Sequence, residues 1–219
     1  MRILIADNHT LFSEGLRSLA SQQADFEVVG EARNGRDALV QTRELCPDVV
    51  LMDVVMPELN GLEATRQIRQ ESPGTRVLAL SMHIDKRYVL GMLEAGATGY
   101  LAKEAPFEEV ARALRVVASG QVYLAPSIAG VVVEGVTRRP PVAASTGPEL
   151  SQREREVLQL LAEGKSARAI SRQLHISIKT VETHRRNMLK KLGLDNVAEL
   201  VRYALKEGIT SLDEIGTRR

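Results

Sequence analysis

Ser177-Ile-Lys-Thr-Val-Glu-Thr-His-Arg-Arg-Asn-Met-Leu-Lys-Lys-Leu192 decides how the second half of this chain is read. Wound at about 100° per residue, it puts Lys179, Glu182, Thr183, Arg186 and Lys190 on one narrow face. Val181, Met188, Leu189 and Leu192 fall on the opposite side. The apolar face buries. The other carries cations, a carboxylate and a hydroxyl, which can meet phosphates and base edges in a DNA major groove. An ordinary amphipathic helix with a solvated charged face has the same pattern, so the residues upstream must decide.

Ser151-Gln-Arg-Glu154 has capping-box spacing. Val157, Leu158, Leu160 and Leu161 follow as core positions, and Gly164 is placed to stop that helix. Ser166 can cap a second, shorter helix through Leu174, with Ala169, Ile170 and Leu174 inward. His175-Ile176 is a tight connection, His175 being a turn residue with no partner at metal spacing. Ser177 caps the long helix. Two helices joined by a short turn, the second basic and exposed, make a helix-turn-helix. Asn196 can cap a fourth helix, Val197 to Lys206, ended by Gly208.

Leu150 to Gly164, followed by Ile176-Ser-Ile-Lys-Thr-Val-Glu-Thr-His184, resembles the LuxR-type DNA-binding domain over about residues 150–208. The resemblance implies that the long helix enters the major groove and that the fourth helix forms a dimer contact. It suggests Glu182, Thr183 and Arg186 as readers of base edges. Lys179, Thr180, His184, Arg185 and Lys190 would position phosphates, with packing an equal alternative for His184.

At 219 residues, two domains are expected. Hydrophobic residues make up 44% and aromatics only 3%, so the cores are aliphatic. The net charge of +1 hides an asymmetry. Residues 1–137 hold 13 Lys/Arg against 18 Asp/Glu, a net −5, and residues 149–219 hold 14 against 10, a net +4. An acidic front and a basic back suit a regulatory domain joined to a DNA binder. The single Cys46 can form no intramolecular disulfide and reads as a packing or inert residue, which fits a reducing cytoplasm. The apolar run Ile3 to Ala6 is too short for a signal peptide or a membrane span, and no later run reaches membrane length.

The first half alternates strand and helix. Strands are expected at Arg2–Ala6, Glu27–Ala32, Pro47–Met52, Arg76–Leu80 and Thr98–Leu101. Helices are expected at Thr10–Ala20, Gly35–Leu45, Leu62–Gln70, Lys86–Ala95 and Phe107–Ala118. Five such units imply a doubly wound, five-stranded parallel sheet covered on both faces, an α/β fold. Ligands in such sheets sit beyond the carboxyl ends of the strands. There the sequence places Asp7 and Asn8, then Asp53, Ser81 and Lys103. An Asp carboxylate can accept a phosphoryl group as an acyl phosphate. A Mg²⁺ on oxygen ligands, with a Lys as a point charge, can neutralise the phosphate oxygens. Each residue alone has a plainer role as cap, turn or surface charge; all five at strand ends is the signal.

Ile5-Ala-Asp-Asn-His9, Leu51-Met-Asp53 with Met56-Pro57 and Gly61, Leu80-Ser81, and Ala95-Gly-Ala-Thr-Gly-Tyr-Leu-Ala-Lys103 resemble a response-regulator receiver domain over about residues 1–118. The resemblance makes Asp53 the phosphoacceptor. It makes Asp7 and position 8 the metal pair, with the backbone carbonyl of Val55 as a further ligand. Ser81 and Tyr100 become a switch pair, in which Tyr100 turns inward as Ser81 moves toward the phosphate. The pattern has two acidic residues at positions 7 and 8. Here position 8 is Asn, which keeps a carbonyl ligand but lacks one negative charge.

The expected organisation is a receiver domain at 1–120, a linker at 121–148 and a helix-turn-helix domain of four helices at 149–213. Within the linker, Pro126–Val136 reads as a short helix docked on either domain, and Thr137–Pro148 as a flexible tether whose Arg138-Arg139 pair is solvated, with contact to DNA the alternative. Receiver plus LuxR-type output resembles the NarL/FixJ class of response regulators. That implies a transcription factor controlled by a sensor histidine kinase, binding double-stranded DNA as a homodimer. One alternative keeps the DNA binding and drops the phosphate chemistry, on the strength of Asn8. Another is a metal-dependent aspartyl phosphatase, against which stands the absence of a general acid at Val54 and Val55.

Overall fold

The computed structural model describes residues 1–137 and 150–211. The expected tether from residue 138 onward, its Arg138-Arg139 pair and the expected domain end at 213 lie outside the described residues. The chain forms two compact units, Met1–Arg138 and Arg139–Arg219.

The first unit runs β1 (Arg2–Ala6), α1 (Thr10–Ala20), β2 (Glu27–Ala32), α2 (Gly35–Leu45), β3 (Val49–Met52), α3 (Gly61–Glu71), β4 (Arg76–Ser81), α4 (Lys86–Ala95), β5 (Gly99–Ala102), α5 (Phe107–Ala118), β6 (Tyr123–Leu124) and α6 (Pro126–Thr137). The sheet order is β2-β1-β3-β4-β5-β6, every pair parallel. All four residues of β3 are buried, as are Ile3 to Ala6 and Val77 to Ser81. Continuous apolar runs rather than alternation are what a sheet covered on both faces requires. Asn34 and Asn60 cap α2 and α3, each accepting from the backbone N–H three residues on. From β1 the chain steps outward to β2, then returns to place β3 on the other flank of β1. The order therefore reverses between β1 and β3, and a crevice opens beyond their carboxyl ends. Asp7 and Asp53 follow those two strands. The Asp53 N–H donates to the Ala6 carbonyl at 2.8 Å, and the Asp7 N–H to that of Ala32 at 2.9 Å.

The sheet has six strands, not the expected five. Tyr123 and Leu124 pair with Gly99 and Tyr100. Two residues carry no periodicity, so composition could not reveal this strand. It follows a turn at Gly120, whose φ is +84°. Residues 123–137, assigned by sequence to the linker, belong instead with the first unit. Ile128 is fully buried in that core, and α6 packs on α4, where a Cβ on Gly135 would come within 2.8 Å of Leu90 Cδ1. Cys46 is also placed differently from a packing residue. It ends α2 in the left-handed region at φ 45° and is exposed.

The second unit is α7 (Gln152–Ala162), α8 (Ala167–Leu174), α9 (Ile178–Leu192) and α10 (Val197–Lys206). Ser151, Ser166, Ser177 and Asn196 cap them in turn, each side chain accepting from the N–H three residues on. At Ser151 the box is complete, since Glu154 Oε2 accepts the Ser151 N–H at 2.8 Å. His175 closes α8 in the left-handed region at φ 53°. Val157, Leu158, Leu160, Ile170, Val181, Met188, Leu200 and Ala204 form the core, with Leu161, Leu189 and Leu192 partly buried against it.

Since α6 lies in the first core, Ile128→Ala should destabilise that unit by about 2–4 kcal/mol, as for other buried aliphatic truncations. Urea unfolding followed by far-UV circular dichroism measures this; a loss under about 1 kcal/mol would detach α6 from the core.

Candidate functional site

The crevice beyond β1 and β3 gathers three buried charges. Asp7 and Asp53 are each about 4% exposed, and the Lys103 side chain, from the end of β5, is equally hidden. Lys103 Nζ lies 2.7 Å from Asp7 Oδ2 and 2.7 Å from Asp53 Oδ2. Asp53 Oδ1 accepts the Val54 N–H at 2.7 Å, so both oxygens of this carboxylate are held. The Lys103 backbone is fixed by its own N–H, which donates to the Ser81 carbonyl at 2.9 Å. Gly61 closes one wall: a Cβ there would sit 1.8 Å from the Asp53 carbonyl oxygen. Two carboxylates and one ammonium leave the crevice a net negative charge, which suits a divalent cation on oxygen ligands. Asn8 is half-buried on the loop after β1, its Oδ1 shielded from solvent, and Val55 is buried two residues after Asp53.

His9 completes the group, although its residue type alone gave no reason to assign it a role. It is the residue before α1. Its N–H donates to Asp7 Oδ1 at 2.8 Å, and its Nδ1 lies 3.0 Å from the same oxygen and 3.6 Å from Asp53 Oδ2. The Asp53 carboxylate, foremost, raises its pKa above the ordinary histidine value; desolvation and the Lys103 ammonium oppose this, and Asp7 adds to the rise.

At the neighbouring strand ends, Ser81 and Tyr100 are fully buried. Tyr100 is already seated inside, donating its hydroxyl to the His83 carbonyl. Burial pushes the phenol far above its usual range, so it stays a neutral donor. Ser81 Oγ accepts the His83 N–H at 3.1 Å. Both members of the expected switch pair thus grip one residue of the loop between β4 and α4. A backbone carbonyl as the shared partner has no signature in sequence.

On α9, Lys179, Arg186 and Lys190 are exposed, and Thr180, Glu182, Thr183, His184 and Arg185 are half-buried. Lys179, Glu182, Thr183, Arg185, Arg186 and Leu189 line one shallow depression. Arg185 Nη2 pairs with Glu182 Oε2 at 2.7 Å. The Thr183 hydroxyl donates to the Lys179 carbonyl at 2.9 Å, and that of Thr180 contacts Ser177 Oγ at 2.8 Å. Val181 and Met188 are buried on the far side, so α9 is one-sided as its sequence requires.

The comparisons with known proteins agree with both halves. Residues 3–115 match the response regulator receiver domain, and residues 148–204 match the bacterial regulatory proteins of the luxR family. The chain is 36% identical to the transcriptional regulatory protein DegU of Brevibacillus brevis, over 95% of this chain and 94% of that one. It is 38% identical to the transcriptional regulatory protein LiaR of Bacillus subtilis, over 93% and 96%. Among solved structures, the response regulator ChrA of a heme-sensing two-component system aligns with a TM-score of 0.53 at 33% identity, over 95% and 98%. RcsB of Salmonella enterica serovar Typhimurium, bound to a promoter in the presence of a phosphomimetic, aligns at 0.58 and 25% identity, over 93% and 97%.

The chain therefore belongs to the two-component response regulators, DNA-binding transcriptional regulators rather than enzymes. Within them it falls in the NarL/FixJ class, which joins a receiver to a LuxR-type helix-turn-helix domain. The aspartyl phosphatase alternative falls with this membership. No helix among the described residues is long and apolar enough to cross a membrane.

Removing Lys103 would leave two buried carboxylates facing each other without a cation. Lys103→Met should cost about 3 kcal/mol or more. Asp7→Asn in the same chain should restore much of that loss, because the sites are in contact and do not add. Thermal unfolding of the two single variants and the double variant measures the coupling; additive losses would mean that the three charges do not act as one group.

Proposed function

We propose that Asp53 is the phosphoacceptor of a kinase-controlled transcription factor, and that α9 is its DNA-reading helix. The observation that carries the reading is the Lys103 ammonium, 2.7 Å from both Asp7 and Asp53 at the point where the strand order reverses. A phosphohistidine of a sensor kinase is the fitting donor. The N–P bond breaks as an Asp53 carboxylate oxygen bonds to phosphorus, and the histidine nitrogen leaves. Lys103 remains beside the new acyl phosphate as a counter-charge. Asp7, Asn8, Asp53 and the Val55 carbonyl would hold Mg²⁺, whose chemistry is to neutralise the phosphoryl oxygens during transfer.

The phosphoryl group adds about −1.5 to −2 of charge and strong acceptor oxygens. Ser81 Oγ then turns to one of those oxygens and lets go of the His83 N–H. Tyr100, tied to the His83 carbonyl, follows the loop. The result favours dimerisation of the helix-turn-helix units on paired half-sites, with α10 as their contact. Glu182, Thr183 and Arg186 read bases; Lys179, Thr180, His184, Arg185 and Lys190 hold phosphates. A DNA partner and the single Cys46, which suits a reducing compartment, favour the cytoplasm. Asn8 favours a second reading, in which the missing charge leaves the receiver unphosphorylated and DNA binding constitutive.

Incubated with Mg²⁺ and a small radiolabelled phosphodonor, the wild type should take up hydroxylamine-labile phosphate. Asp53→Asn should take up none while unfolding at a midpoint no lower than wild type. Label on the Asn variant would remove Asp53 from its role, and an unlabelled wild type would select the second reading.

Arg186→Ala should cost about 1–3 kcal/mol on a specific site and relax discrimination at one base pair. Lys190→Ala should weaken binding about equally on all sequences and reduce the salt slope by about one unit. Binding to specific and scrambled duplexes across a salt series separates them. Equal losses on both duplexes for Arg186→Ala would make that residue a phosphate contact.

A further inference from the structure

We propose that Ile178 is a specificity residue of the DNA interface, and that it reads the C5-methyl group of a thymine in the major groove. This rests on the reading of α9 as the DNA-reading helix and names one base that it selects. Among the described residues of the second unit, Ile178 and Val197 are the large apolar side chains left exposed, at 48% and 36%. Val197 opens α10, whereas Ile178 is the first residue of α9. In a helix-turn-helix the N-terminal residues of the second helix are those that reach base edges.

Other residues serve the packing and capping of this helix start. Ile176, partly buried against the core, and Val181, fully buried, stand at the two positions of a hydrophobic staple, which sets how the chain enters α9. Ser177 Oγ accepts the Thr180 N–H at 3.0 Å and contacts the Thr180 hydroxyl at 2.8 Å, so the cap is complete without Ile178. Isoleucine is also a poor choice for a solvated helix start, where Pro or an acidic side chain stabilises more. The first turn of α9 has no acidic residue, whereas those of α7 and α10 carry Glu154 and Glu199. Beside a phosphate backbone an acid would repel, and an uncharged side chain does not.

Position and chemistry then name the feature that is read. Ile178 lies one turn before Glu182, about 6 Å along α9, on one stripe of the helix. Glu182 is among the residues proposed to read bases, so at about 3.4 Å per step Ile178 falls within roughly two base pairs of it. An isoleucine side chain has neither donor nor acceptor. Of the groups that the four bases display in the major groove, its match is the thymine methyl, the one apolar group among them. Their contact removes apolar surface from water on both sides.

The probe is a duplex selected from a random pool by the full chain, treated with Mg²⁺ and a small phosphodonor. Replacing its thymines one at a time by deoxyuridine removes the methyl and leaves every hydrogen-bonding group in place. At one position of a half-site the wild type should lose about three- to fivefold in affinity, the scale of one buried methyl group. Ile178→Ala, shown by thermal unfolding to be folded, should lose a comparable factor on the unmodified duplex and be nearly indifferent to that deoxyuridine. Ile178→Val should keep most of the thymine preference. If no deoxyuridine weakens the wild type, or if each weakens the wild type and Ile178→Ala alike, Ile178 meets no methyl and the proposal fails. Equal losses of Ile178→Ala on selected and scrambled duplexes would also overturn it. A chain that enriches no sequence, or an enriched duplex that Glu182→Ala and Arg186→Ala bind as tightly as the wild type, would overturn the DNA-reading role of α9 itself.

Discussion

A single ammonium between two carboxylates is the constraint around which the first unit is built. Lys103, Asp7 and Asp53 are all buried, and buried charges are tolerated only when paired and hydrogen-bonded. Adjacent strands stand about 4.8 Å apart, so β5 lies roughly 10 Å from β3. Only a long, unbranched side chain bridges that gap, and a compact ammonium can face two carboxylates at once. The Lys103 backbone must then be held, which its hydrogen bond to Ser81 does. Asp53 must not rotate away, which the Val54 N–H and the glycine wall at Gly61 prevent. The same centre thus ties together the carboxyl ends of β1, β3, β4 and β5.

That arrangement also explains why a charge change at Asp53 would be felt at a distance. Lys103 is shared, so a phosphoryl group drawing it away from Asp7 alters two pairs at once. Ser81 lies at the same strand ends and holds His83 from one side, while Tyr100 holds it from the other. A hydroxyl that exchanges one acceptor for another moves only itself. One that also accepts a backbone N–H moves a loop. Two groups on one loop residue give a small local exchange a backbone readout.

The sequence revealed what depends on local pattern. The four caps of the second unit, at Ser151, Ser166, Ser177 and Asn196, were legible because a cap is a contact three residues long. Asp7, Asp53, Ser81 and Lys103 were legible because strand ends in a parallel sheet point to one crevice, whatever the distance along the chain. What was hidden depends on tertiary partners. β6 is two residues of pairing, too short for a period, and α6 shows which unit it joins only through buried Ile128 and its seat on α4. His9 reads as one more residue of a loop until the fold sets its ring against Asp7 and Asp53. The partner of Tyr100 is a main-chain oxygen, which no residue type announces.

The charge on α9 shows how composition overstates a binding face. The helix carries Lys179, Arg185, Arg186, Lys190 and Lys191, and two of these are also paired with carboxylates of the domain. Lys191 Nζ reaches back 2.6 Å to Glu154 Oε2, a buried carboxylate that also takes the Ser151 N–H. Burial alone would raise the Glu154 pKa, yet the bonds from Lys191 and Ser151 carry it below the ordinary glutamate value. A carboxylate with a depressed pKa stabilises the fold above its unfolded pKa, and that contribution is lost as pH falls through the folded value. Lys191 therefore clamps α9 to the start of α7. Arg185 pairs with Glu182, the carboxylate proposed to face the bases. Lys179, Arg186 and Lys190 remain as exposed cations, spaced about two turns and then one turn apart along a single face. On the proposed DNA-reading role of α9, these exposed cations are the ones left to meet the nucleic acid, while the pair to Glu154 sets the angle of the helix on its domain.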